Sequence, residues 1–264
     1  MAKRIKWSGL NLEILKKNYP KYGYKAIQVY FPELSKKCIV EAARRHGIKS
    51  MNPTGRKKKL AILLEESNII YYWIGFIMAD GSIDIIKKRL RISISVTDKE
   101  HLQKFADLIK TNITTSIDNR NFSYVKSEIC SISVTDYENL DLISKKFDMI
   151  NNKTHNPPNI EYLNDVDRFI SFFVGFVDGD GCISLQSKNS KPHFIRIHSE
   201  KSWLPVFDYF KKFFKKIGLV SSVRINKKGY ADFYIGKQKQ LYFIKNKAIE
   251  LNLPFLERKW NKIT

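Results

Sequence analysis

The chain has 264 residues, 43% of them hydrophobic, and carries 47 lysines and arginines against 26 acidic residues. This length suffices for one large or two modest domains with a buried core, and the hydrophobic content excludes a disordered polycation. The formal net charge of +21 at pH 7 favours a polyanionic partner, of which nucleic acid is the most common.

The cysteines and the chain start favour a reducing environment. Cys38, Cys130 and Cys182 lie far apart, so they form neither a disulfide framework nor a zinc-binding spacing. No apolar segment has the length of a secretion signal core after the basic start, or of a transmembrane helix. The basic residues are spread along the chain, which argues against a membrane-surface helix. We expect an intracellular protein, in a bacterial or phage-infected cytoplasm or an organelle matrix.

Residues 1–50 are predicted to form a small domain of three short helices. The first helix is expected to end at Pro20, and the second is a short apolar segment that follows it. Ser35 is a favourable N-cap for the third helix, which is expected to run to His46 and to end at Gly47.

The third of these helices has an apolar and a basic face. The apolar positions, predicted to face inward, are Cys38, Ile39, Ala42 and Ala43. The basic positions, predicted to face outward, are Lys36, Lys37, Arg44 and Arg45. Three short helices with a basic third one resemble a helix-turn-helix module, so this helix is a candidate for entering a DNA major groove. The alternative is a small helical domain whose charges are only solvated.

Residues 51–60 are predicted to be a basic linker. Turn-forming residues are followed by four consecutive cations, which are Arg56, Lys57, Lys58 and Lys59. Such a segment is suited to contacting phosphates or a minor groove, and a solvated tether is the equally acceptable alternative.

A first repeat is predicted over residues 61–157. It begins with the apolar run WIGFIMADG at residues 73–81, which has the character of a buried helix. Strands at 82–86 and 90–96 follow, then a helix capped by Asp98 or Thr97, strands at 112–118 and 124–134, and a helix at 137–147. In the second strand the polar positions Arg91, Ser93 and Ser95 share one face. That face suits a DNA groove, although any half-buried sheet alternates in this way.

The same order recurs after a bridging segment at 158–167, in a second repeat predicted over residues 168–264. Its apolar run, FVGFVDGDG at residues 173–181, is nearly a copy of the first. Strands are predicted at 182–187, 194–198, 221–226 and 230–236, with helices at 202–217 and 239–251. Polar and basic strand positions that are candidates for DNA contact are Arg196, His198 and Arg224.

Small residues recur four positions apart within both apolar runs. They are Gly75 with Ala79, and Gly175 with Gly179. This spacing places each pair on one helix face, where the absence of large side chains lets a second helix approach closely. We therefore expect the two apolar helices to pack against each other through these faces.

Each run ends in Asp-Gly, the pattern of a helix that stops at a left-handed glycine. If the helices pack as expected, Asp80 and Asp180 lie side by side at their C-terminal ends. Two close carboxylates repel each other unless one is protonated or a divalent cation lies between them. Because the chain has no Cys/His cluster, an oxygen-ligated cation such as Mg²⁺ is the natural candidate. The alternative is a pair of buried core helices with no function at their ends.

The two runs resemble the paired motifs of single-chain LAGLIDADG homing endonucleases, and the resemblance covers about residues 60–264. Gly75 and Gly175 match the first glycine of the motif, and Asp80 and Asp180 match its metal-binding acid. The motifs lie one repeat length apart (180 − 80 = 100). The resemblance implies an α+β fold in which two pseudo-symmetric αββαββα repeats form a DNA-binding saddle.

The resemblance also implies an activity and further site residues. The activity is site-specific double-strand DNA cleavage with short 3′ overhangs by a monomer, with Mg²⁺ as cofactor and Mn²⁺ as a possible substitute. Lys153, in a Lys-Thr segment before two prolines, and Lys259 match the family's catalytic lysines. The backbone carbonyls of Ala79 and Gly179 are further candidate metal ligands. The family also places polar or basic residues on the second strand of each repeat near the metal-bound water, and the matching region holds Ser95 in one half and Arg196 or His198 in the other. Such proteins are encoded in introns, inteins or free-standing phage loci.

Two other functions remain compatible with the sequence. One is an intron RNA maturase of the same fold, with or without cleavage. The other is a DNA-binding regulator that kept the fold but lost catalysis. The presence of both Asp80 and Asp180 argues against the regulator, since paired carboxylates are costly without a compensating cation.

Overall fold

A computed structural model describes residues 5–49, 59–118, 127–187 and 190–263, without the side chains of 185–187 and 190–193. The chain divides into two compact units, Met1–Lys57 and Lys58–Thr264, here called unit 1 and unit 2. Arg56, Lys57 and Lys58 of the predicted linker lie outside the described residues, as do residues 119–126 between two predicted strands. In the described part of the chain, no helix combines the length and the apolar character needed to cross a bilayer.

Unit 1 contains helices α1 (Leu10–Gln28) and α2 (Lys36–Arg45). The prediction that the first helix ends at Pro20 is wrong, because Pro20 lies inside α1. The helix breaks instead at Gly23, whose backbone adopts φ 70° and ψ −163°. Glycine reaches this region without the steric cost that a Cβ would impose, so the break falls there.

Helix α2 begins and ends as the sequence predicts. The Ser35 hydroxyl accepts a hydrogen bond from the Cys38 amide at 3.3 Å, and Gly47 ends the segment with φ 67°. The buried positions of α2 are Ile39, Ala42 and Ala43. The inward orientation predicted for Cys38 is wrong: this residue is exposed, and its sulfur accepts a hydrogen bond from the Ser35 hydroxyl at 3.2 Å.

Unit 2 consists of two αββαββα repeats, which confirms the predicted α+β class. The first repeat contains α3 (Asn68–Asp80), β1 (Gly81–Asp84), β2 (Arg89–Ser95), α4 (Lys99–Leu108), β3 (Thr114–Asp118), β4 (Ser127–Thr135) and α5 (Asn139–Phe147). The second contains α6 (Val166–Asp180), β5 (Gly181–Ser187), β6 (Ser190–Ser199), α7 (Leu204–Lys216), β7 (Ser222–Ile225), β8 (Ala231–Ile235) and α8 (Gln238–Glu250). Short helical turns occur at Ala61–Leu64, Val96–Asp98, Lys201–Trp203 and α9 (Glu257–Trp260).

Each repeat forms one antiparallel sheet of four strands, in the orders β1-β2-β4-β3 and β5-β6-β8-β7. On β2 the apolar side chains Leu90, Ile92 and Ile94 are buried, as the alternation predicts. Gly81 pairs with Ile92. Gly181 pairs with Ile197. Because both glycines hold the same motif position, each β6 residue is equivalent to the β2 residue 105 positions earlier (197 − 92 = 105).

Helices α3 and α6 pack against each other at the centre of unit 2. A Cβ built on Gly75 would lie 2.0 Å from the Phe172 carbonyl oxygen. One built on Gly175 would lie 1.9 Å from the Tyr72 carbonyl oxygen. Only glycine fits at such distances, because a Cβ requires more than about 3 Å from a backbone atom. The predicted contact through the small residues is thereby confirmed.

The motif helices end differently from the prediction. Gly81 has φ −77° and ψ 159°, and Gly181 has φ −83° and ψ 152°, so neither glycine is left-handed. The chain passes directly from helix to strand at both positions. Glycine is needed here for space instead, since a Cβ at Gly81 would lie 2.5 Å from the Ile77 carbonyl oxygen. At Gly181 it would lie 2.7 Å from Val177 backbone atoms.

Candidate active site

The acids of the two motifs lie at the adjoining C-terminal ends of α3 and α6. Asp80 and Asp180 are the last residues of these helices. A Cβ built on Gly179 would lie 2.2 Å from the Ala79 Cβ and 3.2 Å from the Asp80 amide nitrogen. The helices therefore touch one residue before the acids, and both acids, which are exposed residues, emerge from the same contact.

The two carboxylates influence each other electrostatically. Partial burial among the surrounding protein atoms raises the pKa of Asp80 to about 6, and the Asp180 charge adds to this effect. Partial burial also raises the pKa of Asp180, against the opposing charges of Lys153 and Lys259. All four sequence-predicted catalytic residues thus lie close enough to interact. Two repelling carboxylates are a favourable pair of oxygen donors for a divalent cation.

Lys153 lies against the C-terminal end of α3. Its ammonium donates hydrogen bonds to the backbone carbonyls of Ile77, at 3.1 Å, and of Met78 and Ala79. Carbonyls at a helix end lack partners inside the helix and carry partial negative charge, so a lysine there is stabilising. Burial lowers the pKa of Lys153 to about 8, although both motif acids oppose this shift.

Lys259 makes the equivalent contact with α6. Its ammonium is buried, and Nζ lies within hydrogen-bonding distance of four backbone carbonyls, those of Val177, Asp178, Gly179 and Gly181, at 3.0, 2.6, 3.2 and 2.8 Å. Its three N–H donors are shared among these four acceptors. Burial lowers the pKa of Lys259, and the charge of Asp178 acts in the opposite direction. Three of its acceptors are equivalent to those of Lys153. Each predicted catalytic lysine therefore caps one motif helix.

These contacts bear on the predicted backbone ligands. The carbonyls of Ala79 and Gly179 already accept hydrogen bonds from Lys153 and Lys259. A carbonyl oxygen has two lone pairs, so it can bind a cation while keeping one hydrogen bond. The lysines and a metal would then share the same two oxygens.

The donor set fits a magnesium site. The described residues contain no group of three His, Cys, Asp or Glu side chains that could hold a metal. Mg²⁺ does not require such a group, because it commonly binds one or two carboxylates and completes its shell with water and substrate phosphates. Asp80 and Asp180 provide those carboxylates.

Asp178 lies next to the candidate site, but the sequence analysis did not select it as a site residue. It is buried and accepts hydrogen bonds from the Tyr72 hydroxyl at 2.7 Å, the Leu256 amide at 2.9 Å and the Trp260 indole at 2.8 Å. Burial raises its pKa to about 6 despite these bonds, of which the one from Tyr72 lowers it most. Asp178 thus joins the segment that carries Lys259 to both motif helices. The sequence did contain a signal for this role, because Asp178 is an acid inside an otherwise apolar helical run.

The Tyr72 hydroxyl extends this network to α4. It lies 3.0 Å from Nε2 of the buried His101. Tyr72 has one hydrogen and gives it to Asp178, so His101 must donate from Nε2. Within the described structure, His101 Nδ1 has no hydrogen-bond partner. Burial lowers the pKa of His101 to about 3, which keeps the ring neutral.

A second contact ties the C-terminal segment to the first repeat. The guanidinium of Arg258 donates from Nε and Nη2 to the two carboxylate oxygens of Asp98. Asp98 or Thr97 was expected to cap α4. Asp98 holds the N-cap position, but its side chain makes no capping bond because Arg258 engages it.

The predicted DNA-contact residues of unit 1 are exposed on α2. Two of them are paired with Glu41: Arg44 at 2.7 Å and Arg45 at 3.5 Å. Lys36 lies 5.0 Å from the centre of the Tyr24 ring, and Lys37 is exposed. In unit 2, the ammonium of Lys59 donates to the Thr111 hydroxyl at 3.0 Å.

On β2, the exposed Arg91 donates from Nε to the Ser93 hydroxyl at 3.1 Å. Ser95 has a local role: its hydroxyl accepts from the Thr97 amide at 3.3 Å and begins the turn Val96–Asp98. The predicted match of Ser95 with Arg196 or His198 is wrong. By the register of the sheets, Arg91 is equivalent to Arg196 and Ser93 to His198.

On the second sheet, the three predicted DNA-contact residues surround one buried acid, Asp232. Arg196 binds both of its oxygens, at 2.8 and 3.0 Å from Nη2. His198 Nδ1 lies 2.8 Å from Oδ1, and Arg224 Nε lies 3.7 Å from Oδ2. We call these four residues the Asp232 cluster.

The family of the chain follows from sequence comparison. Residues 67–146 match the LAGLIDADG-like domain family, and residues 173–254 match the LAGLIDADG endonuclease family. One match covers each of the two repeats. The chain is therefore a two-motif LAGLIDADG protein.

Solved structures show the corresponding fold. The homing endonuclease I-WcaI, bound to its DNA recognition sequence, is 16% identical, with a TM-score of 0.59 over 86% of this chain and 92% of that one. I-LtrWI, a LAGLIDADG homing endonuclease bound to target DNA, is 13% identical, with a TM-score of 0.50 over 74% and 88%. The fold is thus that of single-chain LAGLIDADG homing endonucleases, as the sequence predicts.

A further similar structure is full-length DUF199/WhiA from Thermatoga maritima, 15% identical with a TM-score of 0.48. The match covers 80% of this chain but only 65% of the WhiA chain. No curated protein sequence matches this chain.

Proposed function

We propose that this protein is a site-specific DNA endonuclease that makes metal-dependent double-strand breaks with short 3′ overhangs. The observation that carries the proposal is the position of Asp80 and Asp180. One acid comes from each repeat, and both emerge from the contact between α3 and α6. A pair of acids related in this way serves both strands of a duplex with a single chain.

The residues of the site divide the work between them. Asp80 and Asp180, with the carbonyls of Ala79 and Gly179, hold the divalent cations. When bound, Mg²⁺ or Mn²⁺ supplies an activated water and offsets charge on the leaving 3′ oxygen. The lysine that caps each motif helix fixes those carbonyls and places positive charge beside the scissile phosphate.

Duplex DNA is bound by the open faces of the two sheets. Polar and basic side chains there, among them Arg91, Ser93 and the Asp232 cluster, contact the major groove. Phosphate contacts by the many other cations supply most of the affinity, which falls steeply with salt concentration. Unit 1 adds a second contact through the basic face of α2, in the manner of a helix-turn-helix, and the cations of the basic linker contact phosphates.

The test uses a plasmid that carries the uninterrupted sequence of the locus in which the gene resides. We expect the purified chain to linearise this plasmid with Mg²⁺ and not in the presence of a chelator. Asp80→Asn and Asp180→Asn abolish linearisation, whereas Asp107→Asn, which changes an exposed acid on α4, leaves it unchanged.

Other outcomes identify the two alternative functions. Tight DNA binding without cutting under any divalent metal overturns the nuclease in favour of a DNA-binding regulator. Rescue of intron splicing that persists in Asp80→Asn and Asp180→Asn indicates a maturase.

A further inference from the structure

The open face of the second sheet carries a carboxylate where a DNA-binding surface would be expected to carry only donors and cations. Asp232 on β8 is 1% exposed and lies beneath three basic side chains. Burial acts to raise its pKa, but hydrogen bonds from His198 and Arg196 outweigh this and hold the pKa below its usual value. The group is therefore ionised at neutral pH, and its negative charge offsets one of the positive charges that attract phosphates to this face.

Asp232 fixes the orientation of Arg196. A guanidinium has five N–H donors on two edges, one formed by Nε and Nη2 and the other by Nη1 and Nη2. The first edge is bound to the carboxylate oxygens of Asp232 at 2.8 to 3.1 Å. The second edge points away from Asp232, and the side chain is 41% exposed. Two parallel N–H groups are therefore held at the surface in a fixed plane.

Neighbouring side chains complete a polar recess around this edge. His198 is held through Nδ1, so Nε2 is its outward nitrogen, and its ring lies 4.9 Å from the ring of Tyr230. Arg224 approaches the other carboxylate oxygen from β7 and is 66% exposed. The turn between β7 and β8 contributes Asn226, Lys227 and Lys228 to the same recess.

The first sheet has no such arrangement at the equivalent positions. There, Ser93 replaces His198 and Ser131 replaces Asp232, and their hydroxyls lie 2.8 Å apart. Thr114 replaces Arg224, and it donates to the Ser131 carbonyl at 3.2 Å. Arg91 occupies the place of Arg196, but its Nε donates to the Ser93 hydroxyl at 3.1 Å and not to a carboxylate of the described residues. The carboxylate that orients the arginine is thus specific to the second repeat.

We propose that Arg196, oriented by Asp232, reads a guanine through the O6 and N7 acceptors in the major groove of the half-site that the second repeat contacts. A contact to phosphate would use the same donors. It gains nothing from a buried counter-charge, however, because Asp232 weakens attraction to an anion. A base contact gains from it, since two hydrogen bonds to one base edge require a rigid and correctly aimed fork. The inference rests on the proposed function for its DNA partner.

The test is selection of bound duplexes from a randomised DNA library by the full chain, with a chelator present so that binding is measured without cutting. We expect wild type to select guanine at a defined position of one half-site. Arg196→Ala reduces that preference by about 5- to 150-fold while preferences elsewhere in the site persist. Arg196→Lys, which keeps the charge but lacks the fork, loses the preference as well. Arg91→Ala, the matched change in the first repeat, alters selection only in the half-site that the first repeat contacts and leaves this guanine preference intact.

Asp232→Asn separates orientation from charge. We expect this variant to bind random duplexes as tightly as wild type or more tightly, but with a weaker preference for the guanine. A uniform loss of binding to all sequences in Arg196→Ala would show a phosphate contact and overturn the proposal. An unchanged guanine preference in Arg196→Ala would also overturn the proposal for Arg196, but it would leave the nuclease proposal unaffected. Guanine selection by a chain that never cuts DNA would leave the inference standing and remove the nuclease. Selection of no base at all would overturn both.

Discussion

The two repeats of unit 2 are alike where they meet and different where they face outward. At the helix contact, Gly75 and Gly175 occupy equivalent places against backbone carbonyls of the opposite helix, and each motif helix is capped by a lysine. On the sheets, the hydroxyl cluster around Ser131 in the first repeat corresponds in position to the charged cluster around Asp232 in the second repeat. The glycines and the capping lysines of the helix contact are thus duplicated, whereas these sheet positions differ between the repeats. In the proposed complex with DNA, the two repeats would therefore contact the two half-sites with different side chains, while each repeat provides one acid.

The largest effect is expected at the duplicated helix contact. Gly75→Ala and Gly175→Ala each place a Cβ about 2 Å from a backbone oxygen, and only separation of the helices relieves this. We expect each to lower the free energy of unfolding by more than about 3 kcal/mol in urea titrations. Gly229→Ala is the control, because its Cβ meets nothing within 4 Å and adds only left-handed strain of about 1 kcal/mol. If Gly75→Ala or Gly175→Ala proved no less stable than this control, the described helix contact would be contradicted.

A smaller effect is expected where the motifs differ, at Asp178 and its equivalent Met78. Asp178→Asn leaves one acceptor oxygen for three buried donors, so at least one donor loses its partner. We expect a loss of about 2–4 kcal/mol in the free energy of unfolding at pH 8. The matched change Met78→Leu, which conserves volume, costs less than about 1.5 kcal/mol. Equal losses would show that the buried acid has no special role in the second repeat.

The smallest effect concerns pH and His101. Its pKa is about 3 in the folded chain, against about 6.5 unfolded, so below pH 6.5 the unfolded state binds more protons. This contribution to stability is complete above pH 6.5 and declines as pH falls towards 3. At pH 5 the loss amounts to about 2 kcal/mol. We expect the drop in unfolding free energy between pH 7 and pH 5 to be smaller by that amount in His101→Gln. An identical drop in both proteins would place the titration elsewhere.

The sequence predicts the elements of unit 2 and the core of its site well. The apolar runs and the repeated small residues predict the central helix pair, because glycine at positions 75 and 175 leaves the space that the backbone of the opposite helix fills. Alternation on β2 identified its buried face. The positions of Asp80 and Asp180 at the contact follow from those two patterns alone, whereas their catalytic role remains a proposal.

The remaining errors arise from contacts between distant parts of the chain. Asp98 was read as a helix cap, but its partner Arg258 lies 160 residues away. Ser95 was matched to the wrong residues because strand register is set by pairing with other strands. Asp178 was passed over since its three donors come from two segments that are distant in sequence from it, Tyr72 on α3 and Leu256 with Trp260 near the C-terminal end. The Asp-Gly pairs predicted helix ends at a left-handed glycine. Instead, each glycine has an extended backbone and begins a strand directly after the helix.

The placement of Gly75 and Gly175 has a consequence for how such a chain can change by recombination. Each glycine accommodates a main-chain oxygen of the other half, not one of its side chains. Fitting between the halves therefore depends little on which amino acids the opposite helix carries at that point. A half from a distant relative that keeps its own glycine can therefore fit at this point, whereas the side-chain contacts between the halves, Tyr72 with Asp178 and Asp98 with Arg258, must be kept or exchanged together.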